Sequence, residues 1–207
     1  SYHRFVIIFP DRMAVATLIS IALSALVFFP ACQWVENGYP DPTFIASRDC
    51  EDLNREVLAV TDLFISKSNG ERDITLQVEV ADEPSERKQG LMCRESIPSG
   101  TGMLFTYNSD RSSGFWMYNT YTSIDILFID SSGQVADMIK MSPCPRETIY
   151  HEEDDEWRKR CMAEAQAYVP SRSWRSTLEL PAGWLSKQSL DDPVKSISKI
   201  VWSTQTN

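Results

Sequence analysis

Histidine is nearly absent from this chain, with two in 207 residues, His3 and His151. Ser-His-Asp, Cys-His and multi-His metal mechanisms all need an imidazole, so any such chemistry would rest on His151 alone. Positive charge is also scarce. Twenty Lys and Arg face 29 Asp and Glu, for a net charge of −9. Residues 1–32 carry +1 (Arg4, Asp11 and Arg12), which leaves −10 on the remainder. A domain this acidic repels phosphate backbones, so nucleic acid is not an expected partner. No two cysteines have CxxC spacing, and a zinc set drawn from Cys144, His151 and Cys161 lacks compact ligand geometry. The acidic run Glu152 to Glu156 lacks the alternation and the glycine of a calcium loop. No metal and no cofactor are expected.

Long apolar runs are scarce as well, and the chain has one. Ala14 to Phe29 is about 16 apolar or small residues without charge. That is short for a membrane span, which needs ~20, and suits the apolar region of an export signal. The run ends in Pro30-Ala31-Cys32, which resembles a bacterial lipoprotein processing site with Cys32 as the lipidated residue. Three outcomes stay open: lipidation, cleavage to a soluble domain, or an uncleaved anchor. Acyl chains would hold the domain at the membrane through buried methylenes. Residues 1–32 are therefore expected to be a signal or anchor helix. Residues 33–65 read as a tether with a short peripheral helix over Cys50 to Phe64. The location expected is the periplasm or cell envelope, attached to the membrane.

From residue 66 the pattern changes to strands and turns. Asn69-Gly70 centres a turn. Ile74, Leu76, Val78 and Val80 alternate with polar residues, which predicts a strand with one wet face. Asp82 to Gly90 predicts a short helix, with Asp82 as cap, acids in the first turn and Gly90 as terminator. Met103 to Phe105, Val135 to Met141, Ser176 to Leu180 and Ile197 to Trp202 read as further strands, with a hairpin at Ser131-Ser132-Gly133. Two apolar runs, Ser113 to Thr120 and Ser123 to Asp130, read as a central pair of buried strands. Residues 145–175 form a charged insertion whose acid-then-base order suits a solvated surface helix. The fold expected for 66–207 is mainly β, a compact antiparallel sandwich or barrel with short peripheral helices.

Several motifs occur in one order: Val78-Glu79-Val80-Ala81-Asp82, Glu86-Arg87, Gly90-Leu91-Met92-Cys93-Arg94, Gly102-Met103-Leu104-Phe105, Phe115-Trp116-Met117-Tyr118-Asn119-Thr120, Asp125 to Asp130, Pro143-Cys144 and Leu178 to Gly183. Together they resemble the bacterial and archaeal domain-of-unknown-function family 192, over roughly Ile74 to Trp202. The resemblance implies a compact, mostly-β domain, often with an export signal, in a family without an established activity. The chain departs from that pattern at Ser123, where proline is common, and at Ser176, where tyrosine is frequent. Its Cys144 to Cys161 segment is also longer and more charged. The resemblance further implies a disulfide between Cys144 and Cys161, which bracket the insertion. Closing that loop would contribute ~3 kcal/mol in the entropic model. Cys93 reads as a small core residue, and a Cys50–Cys93 bridge is an open alternative.

Arg94, Trp116, Asn119, Thr120, Asp125 and Glu179 are the residues whose setting asks for an explanation. Buried charge is costly unless paired. In the structural reading Arg94 pairs with Asp125 or Glu179, and Asn119 satisfies backbone groups in a turn. In the functional reading they line a shallow pocket, with Thr120 among them: Arg94 takes an anionic group, Trp116 supplies a wall, and Asn119 and Asp125 orient the ligand. An Asp125–Glu179 pair could instead serve acid/base hydrolysis. The expectation is a non-enzymatic, membrane-tethered envelope domain that binds a small ligand or a protein partner. The alternatives are a carboxylate-dependent hydrolase and a purely structural envelope protein.

Overall fold

The computed structural model describes residues 46–51, 53, 57–146 and 151–203. The apolar leader, the tether as far as residue 45 and Cys32 lie outside these described residues. Among the described residues, no helix is long and apolar enough to cross a membrane.

The elements run α1 (Arg48–Glu51), β1 (Ala59–Lys67), β2 (Ile74–Ala81), α2 (Pro84–Gln89), β3 (Thr101–Arg111), β4 (Ile124–Ile129) and β5 (Val135–Met141). After these come α3 (Asp154–Glu164), a 3-10 turn (Ala165–Tyr168), β6 (Trp174–Pro181), α4 (Trp184–Lys187), α5 (Pro193–Ser196) and β7 (Ile197–Trp202). The seven strands form one sheet in the order β5-β4-β6-β3-β2-β1-β7. All pairings are antiparallel except β2 with β3, which are parallel and joined by the crossover through α2. The wholly antiparallel expectation is corrected at that pair. A crossover of this kind lets two neighbouring strands run the same way.

The sheet curls until its ends approach. The Ile200 N–H of edge strand β7 donates to the Gly133 carbonyl in the β4–β5 hairpin, at 2.8 Å. Gly133 has φ 86°, and a Cβ there would lie 2.6 Å from the Ile200 carbonyl oxygen. Only glycine meets both conditions. The result is a half-barrel whose concave face packs Leu63, Ile65, Leu76, Val78, Leu104, Leu127, Leu178 and Leu180. The convex face of β3, β4 and β6 carries a second core of Met103, Phe105, Ile126, Phe128 and Trp174, covered by loops and α3. Strand β4 lies between the two, and all six of its residues are buried.

Four further expectations are corrected. Residues 59–67 form strand β1 instead of the end of a helix, because Thr61, Leu63 and Ile65 alternate inward with period two. The β domain therefore starts before residue 66. Ser113 to Thr120 is not a strand. It crosses the convex face as an irregular segment ending in a turn at Tyr118 and Asn119, where its aromatics contact several strands at once. Helix α3 is charged but not merely solvated: Trp157 and Cys161, at i and i+4, are buried, and the Trp157 indole N–H donates to the Cys144 carbonyl at 2.8 Å. The cap of α2 is Glu83 instead of Asp82.

Both disulfides form, Cys50–Cys93 and Cys144–Cys161. Cys93 is thus cross-linked, not an isolated core thiol. Two bridges in one small domain fit an oxidising environment.

Candidate binding site

Asn119 lies in the turn that ends the 112–120 segment, with φ 53°. Its carbonyl accepts the Cys93 N–H at 2.7 Å. Its side-chain amide donates to Ser47 Oγ at 2.7 Å, and its Oδ1 accepts the Ser47 N–H at 3.3 Å. Asn119 therefore joins three stretches of chain beside the Cys50–Cys93 bridge. The neighbouring contacts hold the same N-terminal piece: the Tyr118 hydroxyl donates to Asp49 at 3.0 Å, Arg158 pairs with Asp49 at 3.4 Å, and Asp154 accepts the Arg48 N–H at 3.2 Å. Asn119 and Thr120 are buried, and their bonds place them in this clamp instead of in an open pocket.

Arg94 pairs with Glu79 on β2, neither with Asp125 nor with Glu179. The pair lines an open groove of about 570 Å³ together with Val57, Gln89, Cys93, Glu95 and Ser96.

The two carboxylates sit on opposite faces of the sheet. Residues paired across neighbouring strands project to the same side. Asp125 is opposite Leu180, whereas Glu179 is opposite Ile126 and Met103. Leu180 packs in the concave core, and Ile126 and Met103 pack in the convex one. Asp125 Oδ2 accepts the Gly183 N–H at 2.8 Å and so fixes the turn between β6 and α4, while Oδ1 has no partner among the described residues. Burial pushes the Asp125 carboxyl up, opposed by the Gly183 N–H and by Lys140. Glu179 is 5% exposed, and burial pushes it up to about 8. Two residues earlier on the same face, the Thr177 hydroxyl also lacks a partner among the described residues. A shared acid/base cleft is not formed.

Trp116 has a different setting. It is half-buried and lines a groove of about 550 Å³ with Arg87, Tyr107, Phe115, Met162 and Trp174. The floor is an aromatic lattice. Phe115 lies 5.6 Å from Trp174 between ring centroids, Trp174 lies 5.2 Å from Tyr107, and Trp116 lies 5.3 Å from Tyr118. The Trp174 indole N–H donates to the Ser113 carbonyl at 3.0 Å. A Cβ on Gly114 would lie 2.4 Å from the Tyr168 carbonyl oxygen, so a glycine there lets the two walls approach. Met162 (55% exposed) and Val169 (40%) leave apolar surface at the rim. The Tyr107–Trp174 pair is edge-to-face at 80° and the other two are tilted, and aromatic side chains packed this way lose little entropy on binding.

Of the six predicted residues, the structure therefore leaves Trp116 on an aromatic groove and Arg94 on a charged one. Sequence reasoning missed Tyr107, Arg87 and Trp174 as groove residues. A signal existed for Tyr107, which follows Phe105 at the two-residue spacing of β3's convex face.

A family model named DUF192, described as an uncharacterized ACR, matches residues 64–194. A crystal structure of a Sinorhizobium meliloti 1021 protein, described as a candidate transcription regulator, is 27% identical with a TM-score of 0.55. The match covers 72% of this chain and 97% of that one. A protein of unknown function from Novosphingobium aromaticivorans DSM 12444 is 20% identical with a TM-score of 0.50, covering 74% and 96%. The second likeness concerns the fold alone. No curated protein matches.

Proposed function

The chain belongs to the DUF192 family, and from that premise we propose that it is an exported, membrane-attached, non-enzymatic domain whose groove beside Trp116 binds a small ligand with an apolar body. The observation that carries this reading is the groove itself: a rigid aromatic floor with exposed Met162 and Val169 at the rim. Pockets of this size with aromatic linings are the usual sites for small ligands. The split of Asp125 and Glu179 between opposite faces argues against a two-carboxylate hydrolase, whose carboxyl groups must flank one bond. The two disulfides and the apolar run ahead of Cys32 support export and attachment at the membrane, by lipid or by an uncleaved anchor. The regulator description of the Sinorhizobium protein is not extended to this chain, because a net charge of −9 disfavours a DNA backbone.

Binding is tested with N-phenyl-1-naphthylamine, a neutral dye that brightens in apolar sites. Saturable binding is expected, weakened about tenfold by Met162→Glu, which puts a charge where apolar surface is buried. Binding that does not saturate, or that ignores the substitution, overturns the reading. Protease accessibility in spheroplasts tests the location, and a chain protected until lysis would contradict export.

A further inference from the structure

Beside one end of the groove stand two arginines without an ion pair among the described residues. Two guanidinium groups lie over the Tyr107 ring, those of Arg87 and Arg111, each 4.8 Å from its centroid. Neither arginine forms an ion pair among the described residues, although the chain holds 29 acidic residues against 20 basic ones. Arg87 is held in place by backbone carbonyls, donating to those of Asp82 and Thr106. The nearest acid on its own helix, Glu86, forms no ion pair with it and accepts the N–H groups of Asp82 and Glu83 at 3.0 Å each, although the Arg87 charge helps hold the Glu86 carboxyl below its usual range. Asp110, beside Arg111 in sequence, is already paired with Arg175 at 2.8 Å. Arg111 is exposed and directly precedes Ser112, which lines the groove with Arg87 and Tyr107.

Two like charges over one ring repel each other, and attraction to the ring offsets only part of that repulsion. An anion seated at this end would meet two planar donors already in place, and the adjoining aromatic walls would take whatever apolar body it carries. We propose that the groove is specific for amphipathic organic anions, with a carboxylate, sulfonate or phosphate head against Arg87 and Arg111 and an aromatic or aliphatic body against Phe115, Trp116 and Trp174. This inference rests on the reading of the groove as a ligand site and adds the charge of the ligand to it.

A matched pair of probes isolates the added claim. 8-Anilinonaphthalene-1-sulfonate has the same ring body as N-phenyl-1-naphthylamine plus one permanent negative charge. The full chain should bind the sulfonate about tenfold or more tightly than the neutral dye at low salt. The advantage should shrink in 0.5 M sodium chloride, where exposed charges are screened within roughly 4 Å. Arg111→Gln should remove most of the difference while leaving neutral-dye affinity unchanged, and Arg111→Lys should restore part of it. Because Arg111 is exposed, its variants are expected to unfold at the wild-type temperature, which a melting curve checks. Equal affinity for the two dyes, or an advantage that survives both Arg111→Gln and Arg87→Gln, overturns the inference and leaves the groove reading intact. Failure of the neutral dye to bind saturably overturns both.

Discussion

The two faces of the half-barrel solve the same burial problem by different means. The concave face is filled by the strands themselves, with leucine, isoleucine and valine meeting at successive positions of all seven strands. The convex face is filled by what the connections bring to it. Phe115 and Met117 come from the 112–120 segment, Leu91 from the turn after α2, and Trp157 and Cys161 from α3. A strand-built core is held by the ladder on every side. A loop-built core has no ladder, so it uses covalent and polar fasteners: two disulfides, the Asn119 clamp and the Trp157–Cys144 hydrogen bond. It also leaves a gap between its pieces, and the aromatic groove is that gap.

The sharpest test of this difference is Leu127→Ala. Leu127 is fully buried on the concave side of β4. The cavity should cost about 2–5 kcal/mol and lower the stability of the whole domain at once. Hydrogen exchange should then accelerate in every strand together. Faster exchange confined to β4 and β5 would mean that the concave face is not one cooperative unit.

The corresponding change on the convex side is Cys144→Ser with Cys161→Ser. The bridge spans 17 residues, for which the entropic model gives ~3 kcal/mol. The expected result is local: α3 and the 142–146 segment lose protection while the strands of the concave core keep theirs. Equal loss of protection in β1 and β7 would break the comparison, because the insertion would then support the entire sheet.

The same contrast explains what was legible in the sequence. Period-two alternation marks β2 and the Thr177 to Leu180 part of β6, and the centre of the concave core follows from it. Strand β1 carries the same alternation at Thr61, Leu63 and Ile65, yet Leu53, Val57, Leu58 and Val60 just before it imitate a helical face and mask it. Ser113 to Thr120 is apolar enough to read as a strand, but its rings face several directions because they pack against β3, β4 and β6 at once. No periodicity encodes that arrangement. For the site, Trp116 can be picked out from its neighbours in sequence. The Arg87–Tyr107–Arg111 cluster cannot, because Arg87 comes from α2 while the other two residues belong to β3. The parallel pairing of β2 and β3, which sets α2 beside Tyr107, leaves no mark in either strand's own pattern.

The smallest expected effect concerns Glu179, the one buried acid on the convex face among the described residues. Glu179 ionises near 4.5 in an unfolded chain, and burial pushes it up to about 8 in the folded one. Between those values the folded chain holds a proton that the unfolded chain has released. The contribution to stability is therefore fully present below about pH 4.5, falls as pH rises, and levels off above about pH 8. The slope can reach about 1.4 kcal/mol per pH unit. Glu179→Gln keeps the shape and cannot ionise, so its melting temperature should fall less than the wild type's between about pH 6 and pH 8, with the variant the more stable at the alkaline end. Asp125→Asn should not reproduce this gain, because the Asp125 carboxylate accepts the Gly183 N–H and fixes a turn. Parallel melting curves for wild type and Glu179→Gln across that range would mean that Glu179 is charged in the folded state, with a compensating partner on the convex face. The loop-built core would then tolerate a buried charge.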